Sequence, residues 1–365
     1  MQNFNLNEKI SSSVSLVDAY VPGEQPQGGG WVKLNTNEFP YPPTPRVREA
    51  ILEEIGSDAS RLRLYPEPLS KKLRAEIGRH FGVGADCAMA ANGSDDALNI
   101  AMRCFCDAKK PLASLDPSYS LYPVLAKIQG AKLIQIPFKN GFEIDFDAIF
   151  KCSANTFFFT NPNAPTGKGF PVETVEKIAD GFGGMVLVDE AYAPFADYSA
   201  ATLVKKYPNL IVTGTMSKGW GLAGMRLGWA IANPEVIEIL DRVRDSYNLD
   251  RLAQAAGIAA LSDEEYHAKY VQEIKNTRRI TEHFLDSIGW KYIKSSSNFI
   301  LLTPNKNGAE CPEIAAEFAA FLRSKKILAR YFASDPSVNM SIRLTIGTPE
   351  QMQTVMDAIT QWTNI

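Results

Sequence analysis

The sequence predicts an α/β protein: a mostly parallel sheet covered by helices on both faces, followed by a smaller α+β part. Between residues 111 and 232 short apolar runs alternate with helical stretches, which is the pattern of repeated β-α-β units. The runs are continuously apolar rather than alternating, as strands buried on both faces are. The chain has 365 residues, 45% of them hydrophobic, enough for two units that each bury a core.

The first 45 residues are rich in Gly, Pro and Asn (VPGEQPQGGGW, then NTNEFPYPPTP), which predicts an extended arm laid over another surface. Helices follow at 46–55 and 69–81, separated by Tyr65-Pro66-Glu67-Pro68, where the prolines oppose helix. Beyond Gly84 the spacing predicts strands at 111–115, 131–136, 156–160, 185–188, 210–213 and 227–232, with a helix over 97–106. The pattern is helical over 234–261 and 266–288. The tail mixes strands (298–302, 341–346) with helices (313–325, 349–362). The expected division is an arm at 1–45 packing on the small domain and on a partner subunit, a large domain at 46–250, and a small C-terminal domain at 251–365.

Composition narrows the function. Thirty-eight Lys+Arg against 41 Asp+Glu leave a net charge of −3, with no basic excess to neutralise a nucleic-acid backbone. The five cysteines (Cys87, Cys104, Cys106, Cys152, Cys311) lack paired C-x-x-C spacing, so reduced thiols are expected. His80, His267 and His283 lack metal-ligand spacing and read as packing or surface residues. No signal pattern and no membrane-length apolar run is present, which makes the cytoplasm the expected location.

Three polar side chains sit just after strand-like runs: Asn161 after TFFFT, Asp189 after MVLV, and Lys218 after LIVTGTMS. Their spacing is about 30 residues, the length of one β-α-β step. They should therefore emerge from the same carboxyl edge of the sheet, where doubly wound proteins bind ligands. The segment 215–226 adds Thr215, Ser217 and Arg226 in a Gly-rich stretch, and hydroxyls with a guanidinium match a phosphate dianion. A lysine beside a bound phosphate and a carboxylate suggests a Schiff-base amine. Ser94 before the helix 97–106 is a good N-cap, and the first-turn amides there suit an anion. Residues 219–224 also satisfy G-x-G-x-x-G, but the stretch runs into a strand rather than opening a helix, which argues against a nicotinamide oxidoreductase. Gly167-Lys168 is not a P-loop, because Gly169 stands where Ser or Thr is needed. No G-x-S-x-G of a serine hydrolase is present.

Together, Asn161-Pro-Asn-Ala-Pro-Thr-Gly, Asp189-Glu-Ala-Tyr192 and Ser217-Lys218 with Arg226 resemble the fold-type I, class I/II aminotransferases that use pyridoxal 5′-phosphate (PLP). Tyr20-Val-Pro-Gly, Asn35-Thr-Asn-Glu-Phe-Pro, Tyr65-Pro, Asn92-Gly-Ser-Asp, Pro117-Ser-Tyr119-Ser-Leu-Tyr, Asn298-Phe, Arg330 and Ile342-Arg343-Leu-Thr-Ile-Gly-Thr-Pro are similar to the histidinol-phosphate aminotransferase branch. The likeness runs from about residue 16 to the C-terminus. Gly219-Trp220-Gly221 departs from it, with Trp and Gly where the branch usually has Ala-Phe-Gly.

The resemblance implies a large domain with a mostly parallel seven-stranded sheet, a homodimer, and a role for each residue. Lys218 would carry the cofactor as a Schiff base and shuttle the proton of the substrate α-carbon. Asp189 would pair with the pyridine nitrogen, Asn161 and Tyr192 would hydrogen-bond the phenolic oxygen, and Tyr119 would stack on the ring. Ser94, Asp95, Thr215, Ser217 and Arg226 would hold the cofactor phosphate, joined by Tyr65 from the second subunit. Arg343 would grip the substrate's distal acid, assisted by Arg330 and Tyr20, with Asn37 and Glu38 over the site. The implied reaction is ping-pong transamination between glutamate and 3-(imidazol-4-yl)-2-oxopropyl phosphate, giving 2-oxoglutarate and histidinol phosphate. An aromatic amino-acid aminotransferase and a threonine-phosphate decarboxylase share the implied fold, and an NAD-dependent oxidoreductase is the remote alternative.

Overall fold

A computed structural model describes residues 4–17 and 23–363 of the chain. Tyr20, expected at the substrate site, lies outside the described residues. The strands in chain order are β1 (Val32–Lys33), β2 (Ala88–Ala91), β3 (Leu112–Asp116), β4 (Leu133–Pro137), β5 (Thr156–Thr160), β6 (Met185–Asp189), β7 (Leu210–Thr215), β8 (Gly228–Ala232), β9 (Lys291–Ile293), β10 (Phe299–Thr303), β11 (Ile327–Leu328), β12 (Arg330–Tyr331) and β13 (Ile342–Thr345).

Seven of them form the large sheet in the order β2-β8-β7-β6-β5-β3-β4. Pairing is parallel from β4 through β7, and β8 runs antiparallel to both β7 and β2. The carboxyl ends of β2, β3, β5, β6 and β7 therefore share one edge. Both faces of the sheet are buried. Phe157 and Phe159 of β5 enter one apolar core, and Phe158 between them enters the other, as strand alternation requires. Each such ring is fully buried and contributes roughly 1.5–3 kcal/mol by leaving water.

The smaller part carries an antiparallel sheet in the order β12-β13-β10-β9, packed against the helices Glu264–Ser287, Pro312–Ser324 and Pro349–Thr363 around a third core. The arm reaches this part: β1 pairs in parallel with β11, and Leu34 enters its core. Helix boundaries follow local chemistry. Thr44 caps Pro45–Ile55 by accepting from the Arg46 amide, and Pro45 sits at its first position.

Two details differ from the sequence reading. The helical stretch 234–261 is two helices, Pro234–Asp241 and Arg251–Ser262, and the second starts where the Asp250 carboxylate accepts from the Ala253 amide. That second helix gives Ala253, Ala256 and Leu261 to a core of the large sheet. The edge strand β2, with sequence AMAA, was not expected, because its small residues carry none of the β-branched signal of its neighbours. Among the described residues no helix is long and apolar enough to cross a membrane.

Candidate active site

A cavity of about 310 Å³ opens where the carboxyl edge of the large sheet meets the smaller part and the arm. Its floor comes from strand ends in register: Thr160 pairs with Asp189, and Thr215 with Gly228. Asp189, only 2% exposed, points into it from the end of β6. Burial raises its carboxyl pKa to about 6, opposed by a hydrogen bond from Tyr122. That bond is 3.1 Å long, a second comes from the Ala191 amide at 3.3 Å, and the Tyr122 hydroxyl lies 2.6 Å from Thr160 Oγ1. The sequence motifs give Tyr122 no role. It lies three residues after Tyr119, so the two share one side of the turn, and both reach acidic groups: Tyr119 donates to Asp95 at 3.1 Å.

Lys218 lies in the short helix Met216–Gly219 at the end of β7, where Thr215 caps by accepting from the Ser217 amide. Its Nζ donates to the Thr36 carbonyl at 2.9 Å. Burial first, and then the charge of Arg343, lower the amine to about 8, within reach of its neutral, nucleophilic form.

Thr215, Ser217, Ser94, Asp95 and Arg226 meet on the next stretch of wall. Arg226 takes a left-handed conformation (φ 52°), and its guanidinium lies 3.5 Å from Asp95. A Cβ at Gly93 would come within 2.8 Å of that guanidinium, and one at Gly228 within 2.6 Å of the Ser94 nitrogen. The absent side chains leave a backbone cradle beside a cation, suited to a phosphate.

The opposite wall belongs to the smaller part and the arm. Arg330 and Arg343 face each other across the β12–β13 ladder, and both line the cavity with Phe332 and Asp335. Arg343 Nη2 donates to the Asn35 carbonyl at 3.1 Å. Asn37, 1% exposed and in the left-handed region (φ 56°), donates from Nδ2 to the Tyr192 hydroxyl at 2.9 Å and accepts from Thr345 at 3.0 Å. The arm thus ties Tyr192 of the large part to β13. Glu38, also in the lining, pairs with Lys33.

The structure therefore gathers Ser94, Asp95, Tyr119, Asp189, Tyr192, Thr215, Ser217, Lys218, Arg226, Asn37, Arg330 and Arg343 around one cavity. It does not bring Asn161 there. The side chain at the end of β5 that faces the cavity is Thr160, so alternation turns the next residue away. The Asn161 amide exchanges two 2.9 Å hydrogen bonds with the Phe170 backbone and accepts from Tyr198. It fastens its own loop, and Ala164 and Pro165 of that loop line the cavity instead. Tyr65 is also outside the cavity, 78% exposed and stacked on Tyr247 with ring centroids 4.4 Å apart. The Trp220 that departs from the resemblance packs against His267, with ring centroids 4.2 Å apart.

Comparison with known proteins agrees with this geometry. The profile of the family "Aminotransferase class I and II" matches residues 29–359. A histidinol-phosphate aminotransferase of Syntrophotalea carbinolica is 43% identical over 353 residues, covering 96% of this chain and 98% of the relative. Another from Geobacter sulfurreducens is 42% identical, covering 95% and 97%. The crystal structure of histidinol-phosphate aminotransferase from Sinorhizobium meliloti, in complex with pyridoxal-5′-phosphate, shares the fold with a TM-score of 0.80 at 24% identity over 91% of each chain. The chain belongs to the class I and II aminotransferase family.

Proposed function

We propose that the protein is a PLP-dependent aminotransferase that exchanges an amino group between glutamate and 3-(imidazol-4-yl)-2-oxopropyl phosphate, giving 2-oxoglutarate and L-histidinol phosphate. The observation that carries this reading is one cavity holding a buried amine, a buried carboxylate and a facing pair of arginines. The names of the relatives at about 40% identity over nearly the whole chain support the substrate, and the cofactor bound in the Sinorhizobium meliloti structure supports PLP.

The residues present suit that cofactor. Its phosphate would be held by the backbone at 93–95, by Ser94, Thr215 and Ser217, and by Arg226. Its ring nitrogen would meet Asp189, its ring face Tyr119, and its phenolic oxygen Tyr192. Bound there, PLP supplies a carbonyl carbon and a ring that accepts an electron pair. Asp189 keeps a negative charge in a buried place because Tyr122 and the Ala191 amide donate to it, so it can stabilise a protonated ring nitrogen. Lys218 Nζ, with its lowered pKa, takes and returns the proton of the substrate α-carbon. Asn37 orients the Tyr192 hydroxyl. Arg343 and Arg330 bind the distal acid of each substrate, a carboxylate in one half-reaction and a phosphate ester in the other.

The same reading makes the protein a homodimer. Tyr65, with Leu62 and Leu64 beside it, is an exposed apolar group on the surface of the kind that marks an interface, and Tyr65 would reach the cofactor phosphate of the second chain.

Steady-state rates with histidinol phosphate, phenylalanine and threonine phosphate as amino donors to 2-oxoglutarate test the substrate. The expected order has histidinol phosphate first. Phenylalanine first, or carbon dioxide release from threonine phosphate, contradicts it.

A further inference from the structure

Arg330 and Arg343 are direct partners in the β12–β13 ladder, where opposed Cβ atoms are about 4.5–5.5 Å apart. Two like charges so placed repel each other, and long flexible side chains relieve the repulsion by splaying apart. In this protein both remain at the cavity.

Both guanidiniums lie against the ring of Phe332. The Arg330 guanidinium carbon lies 5.5 Å from its centroid and that of Arg343 5.4 Å, both within cation–π range. Arg343 is held from two further directions, by the ring of Phe299 at 5.2 Å and by the Asn35 carbonyl. Phe332 lies one residue beyond the end of β12 and is half-buried in the cavity wall.

Building on the substrate reading above, we infer that Phe332 is a positioning residue that sets specificity. By attracting both guanidiniums to one ring, it keeps them close enough to seat one doubly charged phosphate ester between them. A carboxylate needs less, because a single arginine satisfies it with two parallel hydrogen bonds. Losing the ring should therefore weaken the seat for the dianion more than the seat for glutamate.

The test uses holoenzyme of the wild type, Phe332→Leu, which keeps apolar bulk without a π face, and Phe332→Tyr, which keeps the ring. Three quantities are read: KM and kcat for histidinol phosphate, KM for glutamate, and the inhibition constant of inorganic phosphate competing with glutamate. Phe332→Leu is expected to raise the KM for histidinol phosphate and the phosphate inhibition constant about fivefold or more. The glutamate KM should change less than about half as much, kcat should stay within about twofold, and Phe332→Tyr should restore wild-type values. If Phe332→Leu does not accumulate as holoenzyme, Phe332→Met gives the same reading. Unchanged phosphate affinity, an equal rise for glutamate, or failure of Phe332→Tyr to restore binding overturns the proposal. A wild type that does not turn over histidinol phosphate sinks the substrate reading instead, and the phosphate inhibition constants still decide the role of Phe332.

Discussion

The floor of the cavity and the wall that carries its arginines are built from different material. The floor is made of the ends of buried parallel strands five or six residues long, and its groups are fixed through hydrogen bonds: Tyr122 holds Asp189, Thr215 caps the helix of Lys218, and Thr36 receives the lysine's amine. The wall is made of β12 and β13, two and four residues long, and of the segment that follows Arg330. Its arginines lie against ring faces, and Arg343 also donates to the Asn35 carbonyl. A floor of this kind suits chemistry common to every substrate, which needs fixed geometry. The wall suits recognition, which must accommodate two acids of different shape.

If that contrast holds, floor variants lower kcat for all substrates, and wall variants change KM for one. Lys218→Ala should have the largest effect, lowering kcat with glutamate and with histidinol phosphate alike by about 10⁴-fold or more. Stopped-flow measurement of each half-reaction checks it, and a loss confined to one substrate would break the contrast. Asp189→Asn should slow both half-reactions by roughly 10²–10³. Arg343→Ala tests the wall: kcat/KM for histidinol phosphate should fall roughly tenfold to a hundredfold, mostly in KM. An equal loss of kcat would move Arg343 to the floor's role.

The smallest effect concerns stability. Glu190, beside Asp189, is buried, and its carboxylate accepts from Ser199 and from the Ala200 amide at 2.6 Å. Burial still raises its carboxyl to about 7. Between its ordinary value near 4.5 and about 7 the folded chain therefore holds a proton that the unfolded chain has lost, and stability falls as pH rises through that window. Glu190→Gln should remove this slope, gaining about 1–3 kcal/mol relative to wild type between pH 4.5 and 8. Denaturant midpoints at pH 4.5 and 8 check it, and parallel curves for the two proteins would contradict it.

The difference between floor and wall also governs what the sequence reveals. The floor was legible, because apolar strand runs recur at a regular interval and the polar residue after each run is easy to pick out. The exception is Asn161, since choosing between adjacent residues at a strand end requires the register, and register puts Thr160 toward the cavity. Tyr122 was hidden because an inward tyrosine on a helix reads as core until its hydroxyl is seen to reach Asp189. In the wall, Arg330 and Arg343 were found through motif resemblance alone. Their pairing was not, because strands as short as β12 leave no periodicity to read. The contact of Phe332 with both arginines depends on that pairing, so it was out of reach too. The pattern of 251–262 is helical in the sequence, and only packing tells which core it feeds.

The account depends most on the amine at the end of β7. Purified holoenzyme treated with borohydride and digested should yield one peptide carrying a reduced pyridoxyl group, with the label on Lys218, and Lys218→Ala should yield none. Label on another lysine, or a wild type that takes up no label, would contradict it.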